Sequence, residues 1–202
     1  KNGELFGSGF WNETSRTPLR MVYHGRDAFG ERELDAALER AVKLRRDILR
    51  LDETTNAYRV LHGDSDGVGG LVVDRYADYL VVQTLTLAME RRLHIILNVL
   101  EDLLSPRGII VRNDSPMLAA EGIEPSVSIA RGAEPEPFTA RSGDIQFMIN
   151  LQTGQKTGLY LDQLDNYAAV ARLAPGRRVL DCFCNQGGFA LACARAGAAE
   201  VT

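Results

Sequence analysis

The stretch RRVLDCFCNQGGFALACARAG, residues Arg177 to Gly197, constrains the fold more than any other part of the chain. RRVLDCF reads as a short, continuously apolar strand, the pattern of a parallel strand covered on both faces. CNQGG is a turn with two adjacent glycines, and FALACARAGA is an alanine-rich helix. A helical pattern over 160–173, ended at Pro175-Gly176, precedes this unit, and AEVT begins another strand after it. The order α–β–α–β is the opening of a doubly wound sheet, in which ligands bind beyond the carboxyl ends of the strands.

The preceding residues alternate differently. A helix is predicted over 31–51, with Leu34, Leu38, Ala41, Leu44, Ile48 and Leu51 on its inward side. Arg40, Lys43, Arg46 and Arg50 fall on another side, as a solvated face or a phosphate-contacting stripe. Runs at 58–62, 70–74 and 79–86, separated by glycine and aspartate turns, read as an antiparallel meander. A helix over 89–104, a strand GIIVRND, and a hairpin of Phe138–Arg141 with Ile145–Leu151 complete an α+β pattern. The opening 5–23 reads as short strands and turns, too small to bury a core alone.

Composition limits the function classes. The 202 residues are 45% apolar and 25% charged, as in an ordinary globular protein, with no apolar run of membrane-spanning length. A net charge of −4 argues against a strongly basic nucleic-acid binder but allows a local basic patch. With no leader in view, Cys182, Cys184 and Cys193 read as reduced, buried packing thiols of a cytoplasmic protein. Cys182-x-Cys184 lacks the further ligands a metal site needs. Asp64-Ser65-Asp66-Gly67 is a turn rather than a calcium loop, because Gly67 falls too early and position twelve is Arg75. His24, His62 and His94 share no ligand spacing, and Trp11 and Tyr23 suit a small-barrel core better than base stacking.

Ligand chemistry is carried by two glycine-bearing segments. Gly187 and Gly188 let a ligand approach the backbone, and the helix N-terminus beyond them favours a carboxylate or a phosphate. The absence of G-x-G-x-x-G disfavours a dinucleotide pyrophosphate, and with it an oxidoreductase. The absence of G-K-[ST] excludes a P-loop. An adenosyl ligand with a carboxylate and no phosphate, S-adenosylmethionine, remains beside the plain reading of a structural turn. Upstream, Gly154 and Gly158 flank Gln155, Lys156 and Thr157. Lys156 suits a carboxylate or phosphate and Asp162 an ammonium group; the plain reading is a helix entry capped by Thr157 or Asp162.

NLQTGQKTGLYLDQLDNY followed by RRVLDCFCNQGGFALACARAGAAEVT resembles the ribosomal RNA large-subunit methyltransferase I family. GDSDGVGGLVVDRYADYLVVQ, VRND with EGIE, and the opening GFWNETSRTPLRMV resemble further family segments, so the likeness spans nearly the whole chain. The resemblance implies an S-adenosylmethionine-dependent methyltransferase acting at cytosine C5 of large-subunit ribosomal RNA, with no metal. It implies the end of a PUA-like RNA-binding barrel at 1–27, a linker helix at 28–51, a central α+β domain at 52–150 and the first part of a Rossmann-like catalytic domain at 151–202. Cofactor residues are then expected at Gln155, Lys156, Thr157, Gly158, Asp162, Asp181, Asn185, Gln186, Gly187, Gly188 and Phe189. The family's nucleophilic cysteine is expected beyond Thr202, so a non-catalytic RNA-binding module is the alternative for these residues. A homodimer is one assembly left open. The chain departs from the family pattern at Asn185-Gln186, in place of Tyr-Thr, and at Leu164, in place of Arg.

Overall fold

The computed structural model describes residues 3, 4, 6–25, 28–152 and 159–202. Strands β1 (Gly7–Trp11) and β2 (Leu19–His24) form an antiparallel hairpin. Helix α1 (Glu31–Lys43) begins where Glu33 Oε2 accepts the Gly30 N–H at 2.8 Å, and its acidic first turn and basic last turn complement the helix dipole. Leu34, Leu38 and Ala41 are buried as predicted. Ile48 is not: it is 65% exposed. A π-helical turn at Leu44–Ile48, closed by the Leu49 N–H to the Leu44 carbonyl, widens the coil and rotates Ile48 off the inward stripe.

The centre of the molecule is a five-stranded sheet in sequential order: β3 (Ala57–His62), β4 (Leu71–Tyr76), β5 (Tyr79–Thr84), β6 (Gly108–Asn113) and β7 (Ser126–Gly132). Only β5 and β6 run parallel, because their connection crosses over through helices α2 (Leu87–Glu90) and α3 (Leu93–Leu104). The predicted single helix over 89–104 is thus two, broken at Arg91-Arg92. The Arg92 guanidinium lies 4.3 Å from the centre of the Phe10 ring, which pins the opening hairpin to the crossover.

Alternation along the strands covers the sheet twice. Leu80, Val82, Ile109 and Val111 point to a core shared with α1 and α3. Tyr79, Val81 and Ile110 point to a second core, shared with the hairpin of β8 (Phe138–Ser142) and β9 (Ile145–Ile149). That second core also takes in Leu151, Leu159, Tyr167 and Ala192, so it runs across the division expected near residue 151.

The last unit comprises a 3₁₀ turn at Leu161–Gln163, α4 (Leu164–Ala171), β10 (Arg178–Val179), α5 (Gly188–Arg195) and β11 (Glu200–Val201). The parallel β10–β11 pair bears out the α–β–α–β order. The short buried strand expected over RRVLDCF forms only in part: β10 has two residues, and Leu180 and Phe183 are exposed. Among the described residues only β11 lies beside it, and one short neighbour cannot enclose an apolar run. For the same reason Cys182 and Cys184 are exposed, and only Cys193 is a buried packing thiol. Trp11, expected in a barrel core, is 70% exposed, since the β1–β2 hairpin covers only part of its own surface.

Candidate functional site

The glycine turn after β10 is tightly wound. The Gly187 N–H donates to the Cys184 carbonyl at 2.7 Å, and Gly187 takes a left-handed φ of 74° as the cap of α5. Phe183 (φ 63°) and Asn185 (φ 49°) share that handedness, which asparagine tolerates and phenylalanine resists. Asp181, two residues beyond β10, accepts the Ala190 N–H at 3.0 Å through Oδ2, so a carboxylate already stands at the mouth of α5. Asn185 and Gln186 are exposed on the turn.

Gly188 is buried for a reason the sequence does not announce. A Cβ there would lie 2.3 Å from Cζ of Tyr167, on α4. Phe189 meets the same ring edge-on, with centroids 4.7 Å apart. Burial raises the pKa of the Tyr167 hydroxyl, and the charges of Asp162 and Asp181 raise it further. One aromatic residue of α4 therefore packs against the glycine turn, while its hydroxyl is influenced by Asp162 of the other segment expected to bind ligand. Gln155, Lys156, Thr157 and Gly158 lie outside the described residues. Asp162 is exposed in the 3₁₀ turn rather than in the first turn of α4.

Two clefts run along the seam between the central sheet and the last unit. One, of about 640 Å³, is walled by Tyr58, Ile145, Leu164, Ala168 and Arg195. The other, of about 520 Å³, lies among Arg45, Arg59, His62, Gln83 and Asp162. Arg59 and Leu161 border both. No group of three or more His, Cys, Asp or Glu among the described residues is placed to hold a metal ion, and none of their helices is long and apolar enough to cross a membrane.

No protein-family model matches the chain. Over 203 aligned residues, all of this chain, it is 32% identical to ribosomal RNA large subunit methyltransferase I of Aeromonas hydrophila. It is 33% identical, over 202 residues, to the protein of the same description from Shewanella denitrificans. The chain is a homologue of the ribosomal RNA large-subunit methyltransferase I family. It spans about half the length of these relatives, 51% in each case. A Streptococcus mutans protein described as a SAM-dependent methyltransferase superposes with a TM-score of 0.80 at 20% identity, over 97% of this chain and 50% of that one. A structure described as a methyltransferase complexed with SAH superposes over the same shares with a TM-score of 0.81. These structures show the fold: a mixed α/β chain matching half of a methyltransferase.

The segments that resemble the large-subunit methyltransferase I family are junctions in this structure. In VRND, Asn113 accepts the Thr84 N–H at 2.9 Å and donates to Thr84 Oγ1 at 2.6 Å and to Glu90 at 3.0 Å, joining β5, α2 and β6. Glu121, the first residue of EGIE, clamps the opening hairpin: it accepts from Ser15 Oγ at 2.5 Å and Arg20 Nη2 at 2.9 Å, and its carbonyl accepts from Asn12 Nδ2 at 2.9 Å. In GDSDG, Asp66 holds Arg45. In VVDRY, the fully buried Asp74 takes Arg59 at 2.8 and 3.1 Å. Leu164, where the family has Arg, joins the apolar lining of the larger cleft.

Proposed function

We propose that these residues are the cofactor-holding and RNA-contacting part of an S-adenosylmethionine-dependent methyltransferase acting at a base, cytosine C5, of large-subunit ribosomal RNA in the cytoplasm. The observation that carries this reading is the ring of Tyr167, on the helix that follows Asp162, packed against Gly188 and Phe189 of the glycine turn. Two segments that are far apart in sequence thus come together at one ring.

The residues present fit the cofactor. With Asp181 already at the mouth of α5, a purely anionic ligand such as a phosphate is repelled there. A zwitterionic amino-acid portion beside a sulfonium is favoured, since its positive charges can face Asp181 and Asp162. Asn185, Gln186, Gly187, Gly188 and Phe189 would supply the near wall; Gln155, Lys156, Thr157 and Gly158, expected from the sequence to supply the other, lie outside the described residues. The cofactor supplies a methyl group on a positively charged sulfur, a ready electrophile. The protein's task is then to hold the acceptor carbon in line with that bond, which is positioning rather than proton transfer. The α1 segment and the hairpin, a PUA-like element with Trp11 exposed, would meet RNA by stacking and phosphate contact.

Trp11 also favours a second reading, a non-catalytic RNA-binding module. Calorimetry with S-adenosylhomocysteine and with NAD decides between the readings. Heat from the first alone, lost in Asp181→Ala, is expected. Binding of NAD alone would favour an oxidoreductase, and binding of neither, with RNA still bound, the module.

A further inference from the structure

Apart from Asp162, the polar groups of the smaller seam cleft are ones that the cofactor reading does not use. Its polar groups are held rather than loose. Asp74 fixes the Arg59 guanidinium through Nε and Nη2, and Arg59 Nη1 donates to His62 Nδ1 at 3.1 Å. Asp66 takes both Arg45, at 2.5 and 3.0 Å, and the His62 N–H, at 2.6 Å. Gln83 Nε2 donates to the Arg112 carbonyl at 3.1 Å.

These bonds decide what the cleft offers. A guanidinium only donates, so His62 Nδ1 accepts and its proton sits on Nε2. The cleft therefore presents a donor at His62 Nε2, further Nη–H donors on Arg59 and an acceptor at Gln83 Oε1. Each arginine is matched by its own aspartate, and Asp162 adds a further negative charge. A phosphate finds no net positive charge here. A neutral planar ring with donors and acceptors along one edge does fit, its faces against Leu159 and Leu161, in a space of about 520 Å³.

We propose that this cleft receives one unpaired base of an RNA substrate, read at its edge by His62, Arg59 and Gln83. The proposal rests on the RNA reading above and names a subsite within it. Base-edge contact of this kind is how single-stranded RNA is read.

The test is an NMR titration of the ¹⁵N-labelled 202-residue chain with cytidine, uridine, adenosine and guanosine, and separately with inorganic phosphate. Expected are saturable shifts at the Arg59 Nε–H and the Gln83 side-chain amide with at least one nucleoside and none with phosphate. His62→Ala and Gln83→Leu should each weaken nucleoside binding about fivefold, the worth of one hydrogen bond, while S-adenosylhomocysteine affinity is unchanged. Equal shifts with phosphate, displacement of the nucleoside by S-adenosylhomocysteine, or unaltered affinity in both variants would overturn it. The two readings fail separately. Nucleoside binding without S-adenosylhomocysteine binding sinks the methyltransferase reading alone, and the converse result sinks this one alone.

Discussion

The ring of Tyr167 occupies the place where a side chain at Gly188 would sit, with Cζ 2.3 Å from the Cβ position. Replacing Gly188 by alanine must therefore displace either α4 or α5. Overpacking of this kind costs about 1–3 kcal/mol. Urea denaturation should show that loss for Gly188→Ala and recover part of it when Tyr167→Leu is added. Gly187→Ala is a different case. Its Cβ would have 4.0 Å of clearance, so only the left-handed φ of 74° opposes it, at roughly 1–2 kcal/mol, and Tyr167→Leu should not rescue it.

Phe183 combines a φ of 63° with a fully exposed side chain. Its conformation is thus costly, and no burial offsets the cost. Phe183→Asn should raise stability by roughly 0.5–1 kcal/mol, since asparagine accepts this backbone region more readily. A thermal melt that moves down instead would mean that the ring makes a compensating contact.

What the sequence made legible was local. The apolar runs of β4, β5 and β6, the stripe of Leu34, Leu38 and Ala41, and the glycine turn before α5 all follow from the order of neighbouring residues. Strand β7 was hidden because it is a sheet edge: Val127 and Ile129 alternate with serines but are exposed, so no strong apolar face marks it. The break between α2 and α3 and the π-turn after Lys43 arise from packing, against which a continuous helical period carries no warning. Asp181 and the two glycines were visible as a turn, whereas Tyr167 was not, because its meeting with Gly188 joins two helices. The pairings of Arg59 with Asp74 and of Arg20 with Glu121 were equally out of reach, since each links separate elements.

Asp74 is completely buried and faces Arg59 through two hydrogen bonds. Asp74→Asn keeps the shape but leaves the half-exposed guanidinium without its charge partner, at a cost of about 1–3 kcal/mol. Arg59→Leu combined with Asp74→Leu should cost less than Asp74→Leu alone, because it removes both charges together. A double-mutant cycle by urea denaturation measures the coupling, and strict additivity would mean that the pair does not interact.

Glu121 holds the opening hairpin against the connection between β6 and β7, and its ionisation links that contact to pH. Burial pushes its carboxyl pKa up, but the hydrogen bonds from Ser15, Arg20 and Asn12 and the charge of Arg20 outweigh burial, and the net shift is downward. A carboxylate whose folded pKa lies below its unfolded value contributes its stability fully above the unfolded value and loses it as pH falls through the folded one. The hairpin should therefore stay docked at neutral pH and loosen in acid, below the ordinary glutamate range. Glu121→Gln removes the charge at every pH, costs about 1–3 kcal/mol at neutrality, and should flatten this part of the acid profile. Fluorescence of Trp11, which lies in β1, reports on the hairpin directly. If its acid transition is the same in Glu121→Gln as in the parent chain, another group controls the docking.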